Sequence, residues 1–204
     1  ESSTVSRIEQ CPSCSSELRI CEDEPFLYCD NRTCPGRVRS RLLHLIGPNG
    51  LALQSLSIRT AEALLGGQDV HLVQVLTLDP KAVEANAPGT GTAFAAEIAK
   101  LKQLPLWKAL YLSGIDHLSE QDARCLSAFV SNFDGLKRLL DYQRPLEHVC
   151  GMSPESYDGV SRWREQGGLD SLQSLLDAKF ELLDDGLAYS AVFRGRRVVV
   201  SGEF

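Results

Sequence analysis

The sequence predicts a mostly α-helical protein that begins with a small four-cysteine metal-binding unit and ends with one short β-strand. Three observations lead to this class. Two close cysteine pairs lie near the start, short helical segments broken by glycine, serine and proline fill the middle, and a β-branched run closes the sequence. With 204 residues and an apolar fraction of 43%, the sequence favours two or three small units over one large core.

The first unit is built around Cys11, Cys14, Cys29 and Cys34, which form two close pairs separated by fourteen residues. Four thiolates at this spacing suit tetrahedral zinc and leave no position for water, so the metal would be structural. Few apolar residues lie between the pairs, and such a unit does not fold without its metal. Disulfides or plain buried thiols are the alternatives, although the total of seven cysteines is odd. Cys21 lies inside the insert and is predicted to be a bystander.

Short strands are expected at 17–20 and 26–28, joined by an acidic turn. Pro35 can then begin a helix that runs to residue 46. This helix carries Arg37, Arg39 and Arg41. The window 31–61 holds five arginines and no acidic residue, although the formal net charge of the sequence is -6. We therefore predict that these three arginines contact phosphate, the alternative being a solvated face.

The middle of the sequence is predicted to consist of short helices that must pack on one another. Proline follows Asp79, which is typical of an N-cap and a first helical position, and Ser119 with Asp122 is typical of a capping box. The expected helices lie at 58–65, 70–76, 81–86, 92–102, 106–112, 120–130, 134–140, 145–149, 154–166 and 169–178. The window 169–185 is strongly acidic and is excluded as a nucleic-acid surface.

Four similar turns precede helices in this region: turn 1 (55–57), turn 2 (88–91), turn 3 (118–120) and turn 4 (150–153). Counted from Ser55 to Thr90, Ser119 and Gly151, the turns are 35, 29 and 32 positions apart, which suggests a repeated helix-hairpin-helix unit. Backbone N–H groups at such a turn face a helix N-terminus and can bind a phosphate without reading sequence. The alternative is that the two glycines of such a turn only end the preceding helix as its C-cap. The candidate DNA-binding residues in the turns are Gly89, Thr90, Gly91, Ser119, Gly151 and Ser153.

The last stretch changes from helical to extended. Residues 196–202 form a β-branched run that ends in Ser-Gly, which is typical of the first buried strand of an α/β unit. Because a strand without a partner is unfavourable, we expect the sequence to continue in a longer polypeptide.

Together, the cysteine cluster, the arginine-rich helix, the four turns in this order and residues 193–202 resemble the C-terminal part of bacterial NAD-dependent DNA ligases. The resemblance covers the sequence from Cys11 to its end. It implies a zinc finger with its basic helix at 1–46, a helix-hairpin-helix DNA-binding domain at 47–183, and a linker with the first strand of a truncated BRCT domain at 184–204.

The resemblance implies that the parent enzyme joins nicked double-stranded DNA in repair and replication. Zinc would be the cofactor of this region, while NAD and magnesium would belong to a catalytic domain upstream. Ligases of this family carry AMP on the lysine of a Lys-x-Asp-Gly motif, and none of the six lysines here lies in that pattern. We therefore expect no catalytic residue in this segment, which would be inactive alone. It would clamp DNA for the upstream adenylation and oligonucleotide-binding domains of the same polypeptide.

The sequence departs from the family at the turns, where serine often replaces glycine. A serine side chain competes for the turn's donors, so a weaker grip on DNA is expected. Two alternatives remain open: a non-catalytic scaffold whose turns serve protein contacts, and an accessory segment of a repair nuclease. For the ligase interpretation we expect a cytoplasmic, nucleoid-associated monomer that does not bind membranes.

Overall fold

The structure, a computed structural model, describes residues 8–20, 27–66, 69–141 and 152–183. Helices dominate these residues, so the predicted mostly α-helical class is confirmed. The predicted helix at 145–149, the final β-branched run, Cys21 and Gly151 lie outside them. None of the helices in the described ranges combines the length and the apolar character that a membrane crossing requires.

The chain divides into two compact units. Unit 1 contains residues 1–70 and 74–97, and unit 2 contains residues 71–73 and 98–204. Turns 1 and 2 fall in unit 1, and turns 3 and 4 fall in unit 2. The predicted domain limits at 46 and 183 remain a prediction.

Unit 1 begins with an antiparallel pair of strands, β1 (Leu18–Ile20) and β2 (Leu27–Cys29), in which Leu18 lies opposite Cys29. Helix α1 (Pro35–Ile46) follows, with proline in its first turn as predicted. Its apolar face buries Val38, Leu42, Leu45 and Ile46. The helix ends at Gly47, whose N–H donates to the Leu43 carbonyl oxygen. The strand pair and this helix bring the four cysteines together.

Four further helices follow, and most of their residues belong to unit 1, which carries turns 1 and 2. Helix α2 (Ile58–Leu65) packs on α1 and on α4 (Pro80–Asn86), and α5 (Gly91–Lys100) begins at turn 2. Phe94 of α5 is fully buried and is one of the largest such side chains. It therefore fixes the helix that begins at turn 2. A short helix, α3 (Leu72–Leu76), precedes α4.

Unit 2 is a set of short helices with one small parallel sheet. The helices are α6 (Leu106–Leu112), α7 (Glu120–Val130), α8 (Phe133–Asp141), α9 (Pro154–Glu165) and α10 (Gly168–Asp177). Strands β3 (Gln103–Pro105) and β4 (Glu181–Leu183) pair in parallel, with Leu104 opposite Leu182. Leu104 is almost completely buried. The sheet therefore pairs the segment just before α6 with the segment just after α10.

The predicted helices match the structure in number and order within the described residues, but several ends differ. The helices at 58–65 and 106–112 have the predicted limits. The helix predicted at 70–76 begins only at Leu72, and the helix predicted to reach residue 102 ends at Lys100 because strand β3 begins at Gln103. Strands β3 and β4 were not predicted, since they pair across 78 positions and no turn in the sequence marks them as neighbours, unlike β1 and β2.

Candidate metal centre and nucleic-acid interface

The four cysteines predicted as ligands form one cluster. The Sγ atoms of Cys11, Cys14, Cys29 and Cys34 all lie within 4.8 Å of one another. The Cys11 and Cys34 sulfurs are 3.7 Å apart, and the Cys14 and Cys29 sulfurs are 3.5 Å apart. Four thiolates bound to zinc at the usual bond length lie about 3.8 Å from one another in a tetrahedron. The arrangement can therefore hold a metal ion of this kind.

Two tight turns aim the sulfurs at this point. In the first, the Cys11 N–H donates to the Ser16 carbonyl oxygen and the Ser15 N–H donates to the Cys11 carbonyl oxygen, both at 2.8 Å. In the second, Asn31 accepts from the Thr33 backbone N–H through its side-chain oxygen at 3.0 Å, and the Cys34 N–H donates to the Asn31 carbonyl oxygen at 3.1 Å. Local hydrogen bonds thus fix both halves of the cluster.

The thiols of the cluster differ in acidity. Hydrogen bonds with the side chain and backbone of Ser16 lower the pKa of the Cys14 thiol to about 6. Desolvation is the main cause that raises the pKa of Cys29 to about 12, and the neighbouring thiols add to it. Four negative charges cannot gather within a few ångströms unless a cation compensates them, and a bound zinc ion deprotonates its thiols outright. The donor set therefore fits a divalent metal that prefers sulfur.

The three predicted phosphate-contacting arginines lie on α1 but have different surroundings. Arg37 donates to the Cys29 carbonyl oxygen at 2.8 Å, so it supports the second cysteine turn. Arg39 forms an exposed ion pair with Glu62 at 2.6 Å. Arg41 is partly buried and donates to the Val70 carbonyl oxygen at 3.4 Å. Each arginine thus contacts its own unit, and the Arg39 side chain in its ion pair with Glu62 is 52% exposed.

Desolvation lowers the pKa of Arg41 to about 10, against the opposing effect of Asp69. Arg32 also pairs with Asp69, at 3.6 Å. The sequence shows no acidic residue near these arginines, but the fold brings Glu62 and Asp69 to them. Arg41 therefore has a structural role within unit 1 that the charge pattern did not indicate.

We expect Arg41→Gln to destabilise unit 1 by about 1–3 kcal/mol, because it leaves a buried carbonyl oxygen without its charged donor. The matched variant Arg39→Gln breaks only an exposed pair and should change the free energy of unfolding by less than about 1 kcal/mol. Urea unfolding followed by circular dichroism measures both. Equal losses in the two variants would contradict the structural role of Arg41.

At turn 2, the backbone N–H groups predicted to face phosphate already have a partner. The Gly89 and Gly91 N–H groups donate to the two carboxylate oxygens of Glu84, each at 2.8 Å. Gly89 has φ +86, a conformation that suits glycine, and the space where its Cβ would lie is open. A Cβ on Gly91 would lie 2.7 Å from the Pro80 carbonyl oxygen. The second glycine therefore lets α5 approach α4.

Turn 1 is held in a similar way by Glu97 of α5. Its carboxylate accepts from the backbone N–H groups of Gln54 and Ser55, both at 3.2 Å, and also from the Ser55 hydroxyl. Ser57 caps α2 by accepting from the Thr60 N–H. Glu97 is partly buried, so this interaction ties turn 1 to the helix that follows turn 2.

Turns 3 and 4 are joined by side-chain contacts within unit 2. Ser119 and Asp122 form the predicted capping box of α7. Asp122 Oδ2 also lies 3.0 Å from the hydroxyl of Ser156 on α9, which lies 2.9 Å from the His117 carbonyl oxygen. Ser153 caps α9 by accepting from the Ser156 N–H at 3.2 Å. The Ser119 and Ser153 hydroxyls therefore already accept from backbone N–H groups in the first turns of α7 and α9, which a phosphate would otherwise bind.

Three of the four turns thus have an acidic side chain at their backbone donors: Glu97 at turn 1, Glu84 at turn 2 and Asp122 at turn 3. After turn 4, the backbone N–H of Glu155 itself is the main cause that lowers the pKa of the Glu155 carboxyl. The sequence predicted Asp122 as part of a capping box, but sequence reasoning missed Glu84, Glu97 and Glu155 because it considered only the residues within the turns. At turn 2, Glu84 lies within seven positions of Gly91 and was an available signal, whereas Glu97 lies 42 positions from Ser55 and offered none.

Comparison with known proteins shows similarity to DNA ligases along almost the whole chain. A DNA ligase of Gemmatimonas aurantiaca is 30% identical over 199 residues, which is 95% of this chain and 29% of that protein. A DNA ligase of Helicobacter pylori (strain G27) is 26% identical over 207 residues, which is 97% of this chain and 30% of that protein. A DNA ligase of Synechococcus sp. (strain CC9605) is 26% identical over 211 residues, which is 95% of this chain and 31% of that protein.

The chain therefore spans about 30% of the length of the relatives it matches. The predicted resemblance to one region of a DNA ligase is confirmed. No family model matches the chain.

Proposed function

We propose that this chain is the zinc-finger and helix-hairpin-helix region of an NAD-dependent DNA ligase. In this role it clamps duplex DNA around a nick while an upstream adenylation domain seals the break. The observation that carries the proposal is similarity to DNA ligases over 95–97% of the chain. The order of the elements supports it, since a four-cysteine cluster, an arginine-bearing helix and turns at helix N-termini follow one another.

The cluster of Cys11, Cys14, Cys29 and Cys34 would hold zinc in a structural role. Four sulfur ligands close the coordination shell, so the ion would contribute folding energy and no chemistry. It would hold the strand pair against the start of α1, from which Arg37 and Arg39 project. Arg37, Arg39 and Arg41 remain the proposed basic contacts to the DNA backbone, with Arg41 acting chiefly through its place in unit 1.

The turns would supply contacts that do not depend on DNA sequence. Backbone N–H groups at helix N-termini position a duplex without reading its bases. Gly89, Thr90, Gly91, Ser119 and Ser153 would provide these contacts, and Gly151 lies outside the described residues. Encircling the DNA would place the nick near the active centre and so reduce the entropic cost of the reaction.

NAD, magnesium and the adenylated lysine would belong to the catalytic part of the parent protein, so this region would not seal DNA alone. Partner domains would be the adenylation and oligonucleotide-binding domains of the same polypeptide. The region would work as a monomer in the cytoplasm, associated with the nucleoid.

A non-catalytic scaffold is the second candidate. One observation favours it: acidic side chains already occupy backbone donors at the turns. If the turns serve only the fold, the chain would bind proteins rather than DNA.

Titration of a fluorescent nicked duplex separates these candidates. The DNA-binding role predicts binding at 50 mM salt that weakens at least tenfold at 200 mM salt, as expected when about two or more phosphates are contacted. Fluorescence anisotropy measures both affinities, with an uncut duplex of the same sequence as the comparison. No binding at 50 mM salt, or binding that does not depend on salt, would favour the scaffold.

A further inference from the structure

We propose that Glu84 is an internal competitor of DNA phosphate at turn 2, so that this turn binds DNA weakly while the Glu84 carboxylate lies on its backbone donors. The inference rests on the proposed function, because it assumes that DNA approaches the turns. It adds a residue that sets the affinity and that lies outside the turn itself.

The geometry places the carboxylate where a phosphate would be bound. One oxygen of Glu84 accepts from the Gly89 N–H and the other accepts from the Gly91 N–H, both at 2.8 Å. Gly91 begins helix α5, which is ten residues long. An acidic group at these donors has the same charge sign and the same acceptor chemistry as a phosphate oxygen. The two cannot use the same donors at once.

The carboxylate is ionised at neutral pH. Its pKa is lowered, first by the Gly89 N–H and then by the Gly91 N–H, with a smaller effect from the Thr90 N–H. The stabilisation by these groups is mutual, so a phosphate must displace a favourable anion in order to bind. A carboxylate that stays close would also repel the phosphate.

The position can nevertheless be reached by a large ligand. Glu84 and Gly89 are both exposed, and nothing lies within 4 Å of the place where a Gly89 Cβ would be, whereas Gly91 is buried with the Glu84 side chain among its nearest neighbours. Glu84 can therefore rotate into solvent when DNA arrives. Glu97 at turn 1 differs, because it is partly buried and accepts from a hydroxyl as well as from two backbone groups. We therefore assign the competitor role to Glu84 and a structural role to Glu97.

Two variants test the proposal. Glu84→Gln keeps the shape and removes the charge, and Glu84→Ala removes the acceptor as well. Glu165 is an exposed glutamate at the end of α9, so Glu165→Gln and Glu165→Ala are matched controls for the change in net charge. Circular dichroism and thermal melting confirm that each variant folds. Each is then titrated with a nicked duplex at several salt concentrations.

The proposal predicts that both Glu84 variants bind the nicked duplex about tenfold more tightly than the wild type at low salt. The slope of log affinity against log salt should become steeper by about 1, since one more phosphate is contacted. The Glu165 controls should change the affinity by less than about twofold, because Glu165 belongs to none of the four turns and its exposed charge is screened by salt.

If the wild type binds with the expected salt dependence but the Glu84 variants behave like the Glu165 controls, the competitor role is overturned and the proposed function stands. If neither the wild type nor the Glu84 variants bind at low salt, the proposed function fails and this inference fails with it. Tighter binding with an unchanged salt slope would also overturn the inference, because no additional phosphate would then be contacted.

Discussion

Removal of the metal by a chelator is expected to unfold the region of the four cysteines, and Cys34→Ser is expected to have the same effect. Cys34 is 1% exposed and stands at the N-cap of α1, so its sulfur links the cluster to the first helix. Around the cluster, two three-residue strands supply little apolar surface. Zinc-finger peptides gain about 10–16 kcal/mol of folding free energy from the metal. The residues around the cluster should therefore unfold completely once the metal is lost.

Metal content and backbone amide spectra measure this effect. The purified wild type should contain one zinc per chain, and chelation should collapse the amide signals of residues 8–34 while those of unit 2 persist. Cys125→Ser is the matched control, since Cys125 is a partly buried free thiol on α7 outside the cluster. It should retain the metal. A wild-type protein whose spectrum does not change after complete metal removal would refute the structural role.

Phe94→Ala should destabilise unit 1 by about 3–5 kcal/mol, the usual cost of deleting a buried aromatic side chain. Phe94 is fully buried on α5, the helix that begins at turn 2 and carries Glu97 to turn 1. The variant should therefore weaken both turns of the unit, and with them any binding of DNA. Chemical denaturation gives the change in free energy.

Phe129→Ala is the control for this prediction. Phe129 is 51% exposed on α7, so the same truncation should cost less than about 1 kcal/mol. If the two variants lost similar stability, Phe94 would not hold the core that positions turns 1 and 2.

Features that depend on short-range spacing could be predicted from the sequence. The cysteine cluster needs only two local turns and a short insert, and its four members meet as expected. The caps at Asp79 and Ser119 depend on residues within one helical turn, and both are present. Proline at the start of α1 likewise sets that helix by local geometry.

Features that depend on contacts between distant segments could not be predicted. Glu97 reaches Ser55 across 42 positions, and Gln103 reaches Glu181 across 78. The short parallel pair β3 and β4 leaves no periodic signal, and the acidic residues near Arg39 and Arg41 come close only through the fold. Of these contacts, those of Glu97, Glu62 and Asp69 show which groups at turn 1 and on α1 already have partners within the fold.

The proposal that this chain binds DNA through its turns and the arginines of α1 is best tested by mapping backbone amide shifts during titration with a nicked duplex. With wild-type protein at low salt, the largest shifts should lie at the first turns of α7 and α9 and on α1, with smaller ones at 88–91. In Glu84→Gln, the shifts at Gly89 and Gly91 should grow. Binding with shifts confined to the acidic residues 169–183, or with none at the four turns, would contradict the account.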